Sequence, residues 1–139
     1  MKTPTHFNTL SVDNLPGFLG IVITDVDALQ VKAILPVKRT LMAPNGFLHA
    51  GTVVTLADTT AGYGCIANLP DGANGFTTVE LKSNFLGTAR DGTLACTATA
   101  VHVGKTTQVW DAVVTHKETG KTMALFRCTQ MLLYPKKAS

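Results

Sequence analysis

The segment NGFLHAGTVVTLADTTAGYGC, residues 45–65, carries one histidine and one carboxylate, His49 and Asp58, among small and apolar neighbours. An ionised carboxylate is costly to bury unless it is paired or wet. Asp58 therefore reads in one of two ways. It is a helix-edge residue bonded to water, Thr55 or Thr59, or it is kept for chemistry. A carboxylate can act as general base on a water, or attack a carbonyl carbon itself. His49 has three open uses: capping a helix, bonding the loop backbone, or touching a substrate. Nine residues of helix turn through about 180° and rise about 13–14 Å. On one helix, His49 and Asp58 face opposite sides at different heights and cannot share one carbon. If both are catalytic, each site combines His49 of one chain with Asp58 of another.

The segment is the one long helix candidate. Val53, Ala57, Ala61 and Gly64 share a face, with Val54 and Cys65 beside them, which is helical spacing. Its intrinsic propensity is poor because Thr, Val and Gly are common in it. Tertiary packing must hold it, and its small residues let a sheet come close. Residues 1–18 form an N-terminal extension in which Phe7, Leu10, Leu15 and Phe18 predict a short helix broken at Pro16-Gly17. LGIVITDVDALQVKAILPV predicts two strands with a turn near Asp25–Asp27. After the turn-rich NLPDGANG, four long Thr/Val-rich strands follow: FTTVELKSNFL, GTLACTATAVHV, TTQVWDAVVTHKE and KTMALFRCTQMLLY. Short turns at Arg90-Asp91-Gly92, Gly104-Lys105 and Thr119-Gly120-Lys121 separate them. The expected architecture is α+β, an antiparallel sheet of about six strands wrapped around one helix.

The 139 residues fit a single domain, residues 1–139, with one core. Charged residues are 15% and the net charge of +3 is spread along the chain, with one basic cluster at Lys136-Lys137. Nucleic-acid binding concentrates basic residues on one face, and no such face is visible. No apolar run approaches the roughly 20 residues of a membrane span. MKTPTHFNTL lacks a signal-peptide core. Cys65, Cys96 and Cys128 are far apart, lack metal-ligand spacing and sit among apolar neighbours. They read as reduced core residues of a cytoplasmic protein. His102 and His116 have no partners at ligand spacing and read as structural or exposed. No GxSxG elbow is present, so a serine hydrolase is not expected, and no GxGxxG or phosphate-loop motif is present, so the phosphates of a ligand would need surface cations.

Taken together, NGFLHAGTVVTLADTTAG, TTVELKSNFL and GKTTQVWDAVVTHKETGKTMALFRCT resemble the hotdog-fold acyl-CoA thioesterases of the phenylacetate-pathway and 4-hydroxybenzoyl-CoA type. The family pattern is Asn, a few residues, His-Gly-Gly, then an acidic residue within the helix. Asn45, His49 and Asp58 match it. Ala50 stands where the first Gly of the pair usually stands, which is tolerable if its backbone is helical and damaging if φ is positive.

The resemblance implies hydrolysis of an acyl- or aryl-CoA thioester without metal or organic cofactor. It makes Asp58 base or nucleophile, His49 and Asn45 supporting residues, and Thr78 a hydroxyl that assists the water or nucleophile. Thr77, one register away, would point to the other sheet face. Negative charge develops on the thioester oxygen. The first N–H groups of a helix lack intrahelical partners and favour an anion, so Ala50 or Gly51 can supply an oxyanion hole. Lys82, Arg90 and Lys105 are the candidate cations for coenzyme A phosphates. The family also implies a homodimer, with a dimer of dimers plausible. Two other readings stay open: a hotdog hydratase or dehydratase, whose Asp-x(4–5)-His order is absent here, and a non-catalytic acyl-CoA-binding module.

Overall fold

The computed structural model describes residues 2–136, so Lys137 of the tail cluster lies outside the described residues. Helix α1, Pro4–Ser11, and helix α2, Leu15–Leu19, precede strands β1, Val22–Asp27, and β2, Gln30–Pro36. A single 3-10 turn, Arg39–Leu41, leads to helix α3, Ala50–Ala67. Strands β3, Gly75–Phe85, β4, Thr93–Val103, β5, Thr107–His116, and β6, Thr122–Leu133, complete the chain. All strand pairs are antiparallel, in the order β1-β2-β4-β5-β6-β3. This is the hotdog fold, six strands wrapped around a central helix.

Inward alternation builds the core. Val31, Ala33 and Leu35 of β2, Leu94, Cys96 and Ala98 of β4, and Trp110, Ala112 and Val114 of β5 are buried against α3. The helix answers with Val53, Leu56, Ala57, Ala61, Gly64 and Cys65. Its threonines do not compete with the fold, because Thr55 and Thr60 donate to the carbonyls of Gly51 and Leu56 one turn back. Thr52 donates to Leu41 and ties the helix to the preceding 3-10 turn.

The sheet approaches this helix very closely. A Cβ built on Gly64 would lie 2.6 Å from the fully buried Trp110 ring. Trp110 cannot easily retreat, since its Nε1 donates to Gln108 at 2.8 Å. Gly64→Ala should therefore cost about 1–3 kcal/mol despite the better helix propensity of alanine. Urea unfolding would show this as a lower midpoint at unchanged slope; an Ala variant as stable as the parent would mean that ring and helix separate freely.

Two local expectations are corrected. The N-terminal break falls at residues 12–14, not at Pro16-Gly17, because proline is accepted in the first turn of α2. Residues Asp25–Asp27 belong to β1, and the turn is Ala28-Leu29.

Strand β3 is a sheet edge, paired only with β6. Val79, Leu81 and Phe85 on it are 52%, 40% and 47% exposed, an apolar row left open among the described residues.

Candidate active site

The site begins at the loop before α3. Asn45 Oδ1 accepts the Phe47 N–H at 3.2 Å, closing an Asx turn around Gly46, whose φ is +86°. His49 is the N-cap: its backbone is extended, and its Nδ1 accepts the Gly51 N–H at 2.8 Å. A ring whose Nδ1 accepts carries its proton on Nε2, which is left to donate. The capping bond also distinguishes the two oxyanion candidates. The Gly51 N–H is occupied by His49, whereas the Ala50 N–H has no partner among the described residues. Ala50 has no positive φ, so alanine is unstrained there. Beside it opens an apolar cleft of about 350 Å³, walled by Phe47, Leu48, Val53, Phe85 and Thr88.

One side chain clamps this loop from outside. Arg90 Nε donates to the Gly46 carbonyl at 3.2 Å, and its guanidinium lies 5.3 Å from the centre of the Phe47 ring. With Arg39 it lines a second open cavity of about 590 Å³ next to the loop.

Asp58 lies on the helix side that faces β3. Its Oδ1 is 3.2 Å from the Thr78 hydroxyl, which is 2.7 Å from Gln130 Oε1. Thr78, rather than Thr77, thus stands beside the carboxylate. Burial raises the Asp58 pKa above its ordinary value, and the Thr78 hydrogen bond opposes the rise. No cation is paired with Asp58 among the described residues. Gln130 is fully buried and is a residue that sequence reasoning missed. Its signal was present: it shares the inward register of β6 with Phe126, Cys128 and Leu132, where a polar residue is unexpected.

Two expected cations lie away from the start of the helix. A bulge in β3 between Thr78 and Glu80 reverses the alternation. Thr78 pairs with buried Gln130, but Lys82 pairs with exposed Arg127, so Lys82 is on the outer sheet face beside the Arg127–Asp111 ion pair. Lys105 is in the β4–β5 turn, where its carbonyl accepts from Tyr134. Gln108, at the start of β5, donates to Asn68 at the helix C-terminus. Lys105 is therefore at the opposite end of the sheet from Ala50. His116 fastens two turns, bonding the Asp91 carbonyl and Thr119 at 3.0 Å each. His102 is exposed. The three cysteines are free and buried, and burial pushes each thiol up to about 12, which removes them as nucleophiles at neutral pH.

A long helix seated in a curved antiparallel sheet is the hotdog architecture. Residues 45–123 match the thioesterase superfamily. The chain belongs to that superfamily and is a thioester hydrolase. It is 34% identical over 111 residues to the 1,4-dihydroxy-2-naphthoyl-CoA hydrolase of Listeria monocytogenes, covering 80% of this chain and 89% of that one. A variant of the thioesterase PA1618 from Pseudomonas aeruginosa superposes with a TM-score of 0.91 at 26% identity, covering 97% and 96% of the two chains. The PaaI protein of the Escherichia coli phenylacetic acid degradation operon gives a TM-score of 0.77 at 28% identity over 85% and 83%. None of the helices among the described residues is long and apolar enough to cross a membrane.

Proposed function

We propose that the chain, as a single hotdog domain over residues 1–139, hydrolyses an acyl- or aryl-coenzyme A thioester to the free acid and coenzyme A. The observation that carries this reading is Asp58, half-buried, unpaired with any cation among the described residues and held on Thr78. Two routes use it. As base, Asp58 takes a proton from a water whose oxygen attacks the thioester carbon. As nucleophile, it forms a mixed anhydride that water then cleaves. In both, the carbonyl oxygen becomes an oxyanion that the Ala50 N–H can receive. Collapse breaks the C–S bond, and the departing coenzyme A thiolate takes up a proton. Relatives that act on an aryl-CoA favour an aromatic acyl group, and the apolar cleft at Ala50, with Phe47 and Phe85 in its walls, suits one. Arg39 and Arg90, around the second cavity next to the loop, suit the coenzyme A phosphates better than Lys82 or Lys105 do. The free thiols fit a reducing cytoplasm.

The site needs two chains. Asp58 lies nine residues beyond the N-cap His49, which helix geometry sets about 13–14 Å along the axis and towards the opposed side. A second copy set against the uncovered row of β3 would bring its helix beside the first. This supports a homodimer with two equivalent sites.

The test is free-thiol release from a panel of short, medium, long and aryl acyl-CoAs. Turnover on at least one is expected. Release from none, or hydration of crotonyl-CoA without cleavage, would overturn the reading in favour of a binding module or a hydratase.

Ala50 offers a sharper probe. His49 is extended, the conformation required before proline, and the Ala50 N–H has no bond to lose among the described residues. Ala50→Pro should therefore fold, yet lower kcat by about 10²–10³, while Ala50→Gly stays near the parent. Equal activity of the two variants would show that this N–H is unused.

A further inference from the structure

The contact between Asp58 and Thr78 poses a proton-counting problem. Thr78 carries one hydroxyl proton, and two acceptor oxygens compete for it: Gln130 Oε1 at 2.7 Å and Asp58 Oδ1 at 3.2 Å. The far end of the Gln130 amide is also engaged, with Nε2 3.4 Å from Cys128 Sγ. A half-turn of the buried amide would change every bond in the row. In the observed direction, Gln130 donates to the thiol sulfur and Thr78 donates to Gln130. Asp58 then completes the row only by being protonated and donating to Thr78. In the reversed direction, the Cys128 S–H donates to the amide oxygen, the amide nitrogen donates to Thr78, and Thr78 donates to a charged Asp58. Both directions satisfy all four groups, and they differ by the proton on Asp58.

We propose that Gln130 is a positioning residue for the thioesterase reaction: the end of its amide turned to Thr78 sets where the Thr78 proton points, and so whether Asp58 is held as a charged base. The inference rests on the function proposed for Asp58. Gln130 touches no substrate; it acts from behind, fully buried on β6, through a hydroxyl on β3 to a carboxylate on α3. Cys128 on β6 is the titratable group that feels the Asp58 charge, and burial holds it as the neutral thiol that either direction needs. No charged side chain of β3, β5 or β6 bonds Asp58 among the described residues. In the observed direction the amide oxygen draws the Thr78 proton away from the carboxylate, so removing the amide frees that proton for Asp58.

The experiment follows the Asp58 carboxyl by NMR titration, alongside the pH profile of kcat/KM, in the parent, Gln130→Met, Thr78→Val and the double variant. Gln130→Met keeps the shape and removes the amide. The Asp58 titration and the acid limb of the profile should both move to lower pH by about half a unit, roughly a threefold change in proton affinity. The shift should vanish when Gln130→Met is made in the Thr78→Val background, because the effect passes through the hydroxyl. Gln130→Glu is the second variant should the methionine disturb folding. A second carboxylate on Thr78 should move the limb the opposite way, to higher pH. An unmoved Asp58 titration in a folded variant, or the same shift with and without Thr78, overturns the proposal. A fall in kcat with an unmoved limb likewise assigns Gln130 to packing alone. The NMR readout separates this from the underlying reading. If Asp58 titrates as expected but Asp58→Asn remains active, the positioning stands and the catalytic assignment of Asp58 falls.

Discussion

Asp58→Asn is expected to lower kcat by at least about a hundredfold while leaving the fold intact. Asparagine matches the carboxylate in size and can still accept from Thr78, but it can neither take a proton from water nor form an anhydride. The same substitution should raise stability at neutral pH. Burial lifts the folded pKa of Asp58 above its ordinary value, so the native chain binds the proton more tightly than the unfolded chain. That contribution favours the fold below the unfolded pKa and is lost as pH rises through the folded one. At pH 7 the ionised carboxylate is thus a cost, and the Asn variant should melt higher. Its advantage should shrink as the buffer is made acidic enough to protonate Asp58. A well-folded Asn variant with near-parental turnover would remove Asp58 from the mechanism.

The second large effect is recovery of activity from two inactive chains. His49→Ala and Asp58→Ala variants are mixed under conditions that exchange subunits. In a mixed dimer one site carries both defects. The other joins the intact His49 of one chain to the intact Asp58 of its partner. A two-fold interface treats the chains alike, so random exchange makes about half the dimers mixed and returns about a quarter of parental activity. Where His49→Ala alone leaves much activity, Asn45→Ala takes its place. Verified mixed dimers that stay as inactive as their parents would show that the two residues do not meet across an interface.

The central helix and the strands were legible because each follows one strong period. Small residues at helical spacing mark α3, and long Thr/Val-rich runs between glycine turns mark β3 to β6. Asp58 and His49 stood out for the same reason, as polar residues in an apolar helix. What escaped depended on local geometry that types and spacing do not carry. Pro16 looks like a breaker, yet it starts α2. Lys82 looks like a neighbour of Thr78 on an alternating strand, and a single bulge sends it to the other face. Arg39 is far from Arg90 in sequence, and only the fold puts them around one cavity. Gln130 is polar on a strand, and its meaning appears only once its register is known to be inward.

The close seat of α3 against β5 has a spectroscopic consequence. The chain contains one tryptophan, Trp110, and its ring lies over Gly64 of the helix. Its emission is therefore an intrinsic gauge of whether the central helix is docked, free of background from any other indole. A red shift would register water reaching that contact.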